Sequence, residues 1–279
     1  MAEHGGHGLD PTALLALLVA LPAALAYLLA VRREAGRRSW PVARTLCWLA
    51  GTLAVVAGSV GPLAAAAHAD FRAHAVAHVL VGMLGPLLLV LGAPVTLALR
   101  ALPVRAARRL TGVLRSRPLR VLTEPAVAVL LDLGGLWLLY RTPLLGWTHT
   151  SPGVHLLVHL HLVLAGYLLA AVLVGRDPLP HRRSHLHRAV VLVVALAAHG
   201  ILAKSLYAEP PATVDAATAE AGAMVMYYAG DAVELVLAVL LCRSWFAGPG
   251  TRRAVVPGRE VGTPASRRPP TGTTYFSAP

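Results

Sequence analysis

An all-α integral membrane bundle of about seven transmembrane helices is the fold class this sequence predicts, and three observations carry the prediction. Of the 279 residues, 56% are hydrophobic and only 14% are charged, whereas soluble domains carry roughly a quarter charged residues. The apolar residues fall in continuous runs of roughly 20, the length a helix needs to cross a hydrocarbon core of about 30 Å. The runs lack the alternation of barrel strands, and a bilayer offers the backbone only helices or a closed barrel. Finally, the net charge of +12 comes from short basic clusters between the runs, which is a mark of membrane topology and not of nucleic-acid binding.

In chain order the spans are expected at about 10–31, 43–66, 75–99, 124–141, 155–175, 188–207 and 222–246. The first opens from a neutral stretch, MAEHGGHGLD, with no small-residue cleavage site after it, and so reads as a mature span instead of a removed signal peptide. The second and seventh hold the two cysteines, Cys47 and Cys242, too far apart in sequence and type of segment for a CxxC motif or a disulfide framework. The third contains Gly85-Pro86, Gly92 and Pro94, which read as a kink and a close-packing surface. The fourth is short and carries Asp132.

Twenty-two of the 25 Lys and Arg follow the odd-numbered spans, in the segments 32–44, 100–120, 176–188 and 243–268. Arg72, Arg141 and Lys204 fall on the opposite side. The positive-inside rule then sets the amino terminus outside and the carboxyl terminus in the cytoplasm, and an even number of spans would scramble the alternation. Residues 1–247 are expected to form the transmembrane domain. Residues 248–279, rich in Pro, Gly, Thr and Arg, are expected to form a disordered basic cytoplasmic tail whose arginines rest near anionic lipid.

Polar side chains inside the spans are the functional candidates, because an unpaired polar group is costly in hydrocarbon. His74 and His78 open the third span (HAVAH), and His155 and His159 open the fifth (HLLVHLH). Four residues at 100° each put both imidazoles of a pair on one helix face, about 6 Å apart along the axis. Both helices enter from the same side, so the pairs lie at matching depth and can converge near the outer surface. His161 points away from His159, toward another neighbour. His199, Asp231 and Asp132 lie about 12–13 Å deep in the sixth, seventh and fourth spans and form a midplane belt. Glu234 shares the face of Asp231 one turn deeper.

Imidazole suits zinc, copper, iron and nickel, and thioether suits Cu(I), so an imidazole-rich site open to the outside fits copper best. The candidate metal ligands are His74, His78, His155, His159, His199 and Asp231. Magnesium and calcium would want oxygen ligands, which are scarce. Plainer readings stand beside these: solvated loops for His4, His7, His68 and His149, a lipid-headgroup loop for His181, His185 and His187 in HRRSHLHR, interhelical hydrogen bonds for Asp132 and Asp231, and packing for Met224 and Met226. No arrangement of nucleophile and base suggests an enzyme.

HAVAHVLVGMLGPLLLVLGAPVTLALRALP resembles the signature segment of the CtaG-like cytochrome c oxidase assembly proteins, multi-span membrane proteins of bacteria. Thr142–Leu145 before HLLVHLH, the GYLLAAVLVGRDPLP ending of the fifth span and the lone His199 are similar to the same family. The resemblance runs from about residue 60 to 246. Ala77 stands where many members have Gln, and EAGAMVMYYAGD stands where members commonly carry Asp-Gln and a glycine pair. The resemblance implies a copper-delivering assembly factor for a haem-copper oxidase in the bacterial plasma membrane, with oxidase subunits and the bilayer as partners. It marks His74, His78, His155, His159 and His199. A copper transporter and a haem-binding membrane redox protein are the alternatives.

Overall fold

A computed structural model of the chain describes residues 11–36, 39–212 and 214–247. Helix makes up 83% of them and no strand occurs among them, which makes the chain all-α. The helices are α1 (Pro11–Ala35), α2 (Val42–Ser59), α3 (Pro62–Ala66), α4 (Phe71–His78), α5 (Gly85–Leu91), α6 (Pro94–Ala101) and α7 (Val104–Leu114). They continue as α8 (Arg117–Leu122), α9 (Pro125–Arg141), α10 (Leu144–Thr150), α11 (Pro152–Val174), α12 (His185–Ala208) and α13 (Ala216–Phe246). The expected tail, 248–279, lies outside the described residues, as do His4 and His7.

Among the described residues, six stretches are long and apolar enough to cross a membrane: Ala13–Ala35, Val42–Ala66, Phe71–Leu91, Pro152–Val174, His185–Ala208 and Thr218–Phe246. A seventh exists if α9 and α10, bent by 76° to each other, are counted as one broken span. The bend sits at Thr142-Pro143. A residue before proline is pushed out of the helical region, and Thr142 is extended at φ −128, ψ 172. Its Oγ1 instead donates to the Leu138 carbonyl at 2.6 Å.

The third span departs from its expected 75–99. It begins at Phe71, because the Asp70 side chain caps α4 by accepting from the Arg72 amide. It ends at Ala93, whose left-handed backbone (φ 51, ψ 55) breaks the helix before Pro94 starts α6. Between α4 and α5 the chain widens into a π-helical turn over Val79–Leu84. Pro86 has no N–H to give the Gly82 carbonyl, and the Gly85 amide bonds back to Leu80. Glycines then bring α2 in: a Cβ on Gly51 would meet the Gly85 carbonyl at 2.9 Å.

The main core lies among α4, the π turn, α5, α9, α11, α12 and α13, with Leu87, Leu173, Leu202, Leu206 and Met226 at its centre. A smaller cluster closes the arginine-rich end, where Tyr27 donates to the Gly92 carbonyl (2.8 Å), Trp40 donates to Tyr27 (3.1 Å), and Arg44 and Arg100 lie over the Trp40 ring. The outward faces are apolar, as lipid contact requires: Leu18, Leu21 and Leu25 of α1, Leu130 of α9 and Leu235 of α13 are all exposed.

The segment 175–188 is not the free headgroup loop that its composition suggests. Arg183 and His187 both pair with Glu124, Arg182 donates to the Gly175 and Asp177 carbonyls, and the buried Arg188 donates to the Leu173 carbonyl at 2.7 Å. Asp177 accepts from the Val95 and Thr96 amides and the Thr96 hydroxyl, supplying the cap that α6 lacks in its own sequence.

Candidate metal centre

The centre is built from the starts of α4 and α11. Arg72 hydrogen-bonds the Asp70 cap, with its side chain reaching Asp70 at 2.8 Å, and this holds the Asp70 carboxyl below the usual range. One turn on, His74 Nε2 and the Tyr140 hydroxyl are hydrogen-bonded at 2.9 Å, and the His74 ring stacks on Phe71. His78 follows at 6% exposure, with no hydrogen-bond partner for either ring nitrogen. On the facing helix Ser151 caps α11 by accepting from Val154, and the His155 and His159 rings lie 4.4 Å apart.

Both pairs line a single cavity of about 60 Å³. Their approach depends on the glycines below them, since a Cβ on Gly166 of α11 would run into the Gly82 carbonyl. Two further imidazoles join. His68, after α3, packs edge-on against His155 (5.3 Å) and His149 (5.8 Å), and His149 comes from α10. Both are exposed, as expected of loop residues, yet they form the cavity mouth. His161 lies off this cavity, with Nε2 at 2.9 Å from the Leu131 carbonyl.

The other two expected ligands, His199 and Asp231, meet elsewhere. His199 is 1% exposed, its Nδ1 is 3.4 Å from Glu234 Oε1, and one ligand atom from each of His199, Asp231 and Glu234 lies within 4.8 Å of the others. His199 and Glu234 line a second cavity of about 40 Å³ with Asp132 and Met83, and His78 lines this cavity as well as the first. A Cβ on Gly230 would enter the space of the His199 ring. Met226 is fully buried in the apolar core, and Met224 is exposed.

Counting His199 and Asp231 with the histidine pairs as one set of candidate metal ligands therefore joined two separate groups, the pairs at the imidazole cavity and His199 with Asp231 and Glu234 in the deeper belt. Sequence spacing put Glu234 on the face of Asp231 but gave no reason to count it among the ligands. His68, His149 and Tyr140 were out of its reach, because short helices and a bend bring them in. Chemically, a cluster of imidazoles suits borderline and soft transition metals. The unpartnered buried nitrogens of His78 are polar groups that lack the hydrogen bonds buried groups normally have.

Uncharacterized proteins of Mycobacterium tuberculosis and Mycobacterium bovis are each 35% identical to this chain over 190 residues, covering 63% of it and 28% of their own length. One from Mycobacterium leprae is 33% identical over 181 residues, covering 62% of this chain and 27% of its own. The chain thus spans less than a third of the length of these relatives. No solved structure matches it. Over residues 25–247 its sequence matches the cytochrome c oxidase caa3 assembly factor (Caa3_CtaG) family, and the chain belongs to that family.

Proposed function

We propose that this chain is an assembly factor for a haem-copper cytochrome c oxidase, holding copper in the imidazole cavity and aiding its delivery to the oxidase. Family membership supports the oxidase. The observation that carries copper is the meeting of six imidazoles, His68, His74, His78, His149, His155 and His159, around one cavity. The arginine distribution supports a plasma-membrane orientation with this end of the bundle outside and the carboxyl terminus in the cytoplasm. Neutral imidazoles can exchange on a bound ion one at a time, which allows transfer to a partner by ligand substitution without a catalysed reaction. Oxidase subunits and lipid are the partners on this reading, and copper is cargo.

The test is the double substitution His78→Ala with His159→Ala, which leaves hydropathy and the arginine bias untouched. The variant is expected to insert normally, to purify with less copper than the wild type and to lower oxidase activity per folded oxidase. Normal copper content with normal oxidase activity would refute the reading. A Soret band in purified wild-type protein would replace copper by haem, and copper uptake into vesicles holding the chain alone would make it a permease.

A further inference from the structure

We infer that His199, Asp231 and Glu234 form a second, buried site for a divalent transition-metal cation, distinct from the imidazole cavity. His199 projects from α12, and Asp231 and Glu234 share a face of α13, three residues apart. Their ligand atoms lie within 4.8 Å of one another, close enough to meet at one ion with bond lengths of about 2.0–2.2 Å after small rotamer changes. His199 Nε2 and Glu234 Oε2 are buried without a hydrogen-bond partner. Both residues line a cavity of about 40 Å³, and Gly230 leaves the room that the His199 ring occupies.

Charge decides the class of ion. Two carboxylates inside a transmembrane bundle demand compensation. A dication matches the two carboxylates of the triad in charge, and Asp132, a third carboxylate, lines the same cavity as His199 and Glu234. A monovalent ion such as Cu(I) would leave the set one charge short and would prefer the sulfur and nitrogen donors of softer sites. One nitrogen and two oxygens are the donors of zinc, manganese, iron or cobalt in their divalent states. The imidazole cavity has the opposite character, with no carboxylate among its lining residues. His78 and Leu162 line both cavities, so the two lie side by side.

Equilibrium dialysis of the full chain in detergent against Co²⁺, and separately against Cu(I), tests the inference. The substitutions are Asp231→Asn with Glu234→Gln, which keep volume and fold, and His155→Ala with His159→Ala, which leave the inner triad whole. Wild type and the His155/His159 variant are expected to bind one Co²⁺ tightly. The Asp231/Glu234 variant is expected to lose far more than the about 10–100-fold in affinity that removal of an outer-shell partner costs, while keeping its Cu(I). Gly230→Ala should weaken Co²⁺ by crowding His199, with both carboxylates still present. Unchanged Co²⁺ affinity in the Asp231/Glu234 variant overturns the inference, and so does loss of Co²⁺ binding in the His155/His159 variant. Failure of Cu(I) to bind would instead refute the proposed copper role and leave the inner site standing.

Discussion

Replacing Gly166 by Ala tests the close approach on which the imidazole cavity rests. The added Cβ would lie 3.0 Å from the Gly82 carbonyl carbon and 3.2 Å from Pro86 Cγ, and nearer still to the Gly82 oxygen. None of these atoms can swing aside, because two are backbone and the third is a proline ring. Overpacking of this kind costs about 1–3 kcal/mol, and the rigidity of the neighbours argues for the upper end. Against it stands about 1 kcal/mol gained by Ala over Gly in a helix interior. The net expectation is a loss of about 2 kcal/mol, read as a fall of about 4–8 °C in the unfolding midpoint for a chain of this size. Gly112→Ala supplies the control. It sits in α7 with nothing within 4 Å of its added Cβ, so it keeps the helix gain without the collision and should hold or raise the midpoint. Thermal unfolding in one detergent, followed by tryptophan fluorescence, compares the two. A Gly166→Ala protein as stable as Gly112→Ala would mean that α11 and the π turn do not touch in this register.

Tyr140→Phe removes the hydroxyl at 2.9 Å from His74 Nε2; about 1 kcal/mol of stability should go, and copper affinity should fall by about tenfold as His74 loses its orienting partner, both measurable on the purified protein. Asp177→Ala strips two amides and a hydroxyl at the start of α6 of their acceptor and should cost about 2–3 kcal/mol, with Asp177→Asn recovering part of it in the same thermal assay. A reporter fused after Phe246 should behave as cytoplasmic and one inserted at Gly5 as external; the reverse signals would invert the proposed orientation.

The spans were legible because a helix in lipid must be apolar along its whole length, so hydropathy alone marks it. The i,i+4 histidine pairs were legible because the helical period puts both rings on one face whatever the neighbours are. What composition hides is where a helix stops inside apolar sequence. Ala93 has no intrinsic preference for a left-handed backbone, and the break there becomes evident only with Asp177 holding the amides of Val95 and Thr96 from 82 and 81 residues downstream. His68 and His149 read as solvated loop residues because they fall between the apolar runs; in the fold His68 packs against both His149 and His155. The separation of His199 from the histidine pairs was legible as a difference in depth, the pairs at the outer helix starts and His199 about 12–13 Å deep. What spacing did not give was a role for Glu234, which lies 3.4 Å from His199 and joins Asp231 there.

Pro86 links the fold to both cavities. A straight α-helix through residues 71–91 would show one unbroken phase to its neighbours, and the face bearing His74 and His78 would continue downward in register. The π turn adds about one residue to a turn and so rotates everything after it by about 100° relative to everything before. The packing follows that shift: α4 lies along α13, while α5 lies along α2 and α11. His78 is the last residue before the widening, and a Cβ on Gly82 would meet its ring at 3.2 Å. Any larger residue at 82 would therefore press on the imidazole that lines both cavities. The small residues at 82 and 166 and the missing amide at 86 thus act on one point, the position of His78, which lines both an imidazole-lined space and a carboxylate-lined one.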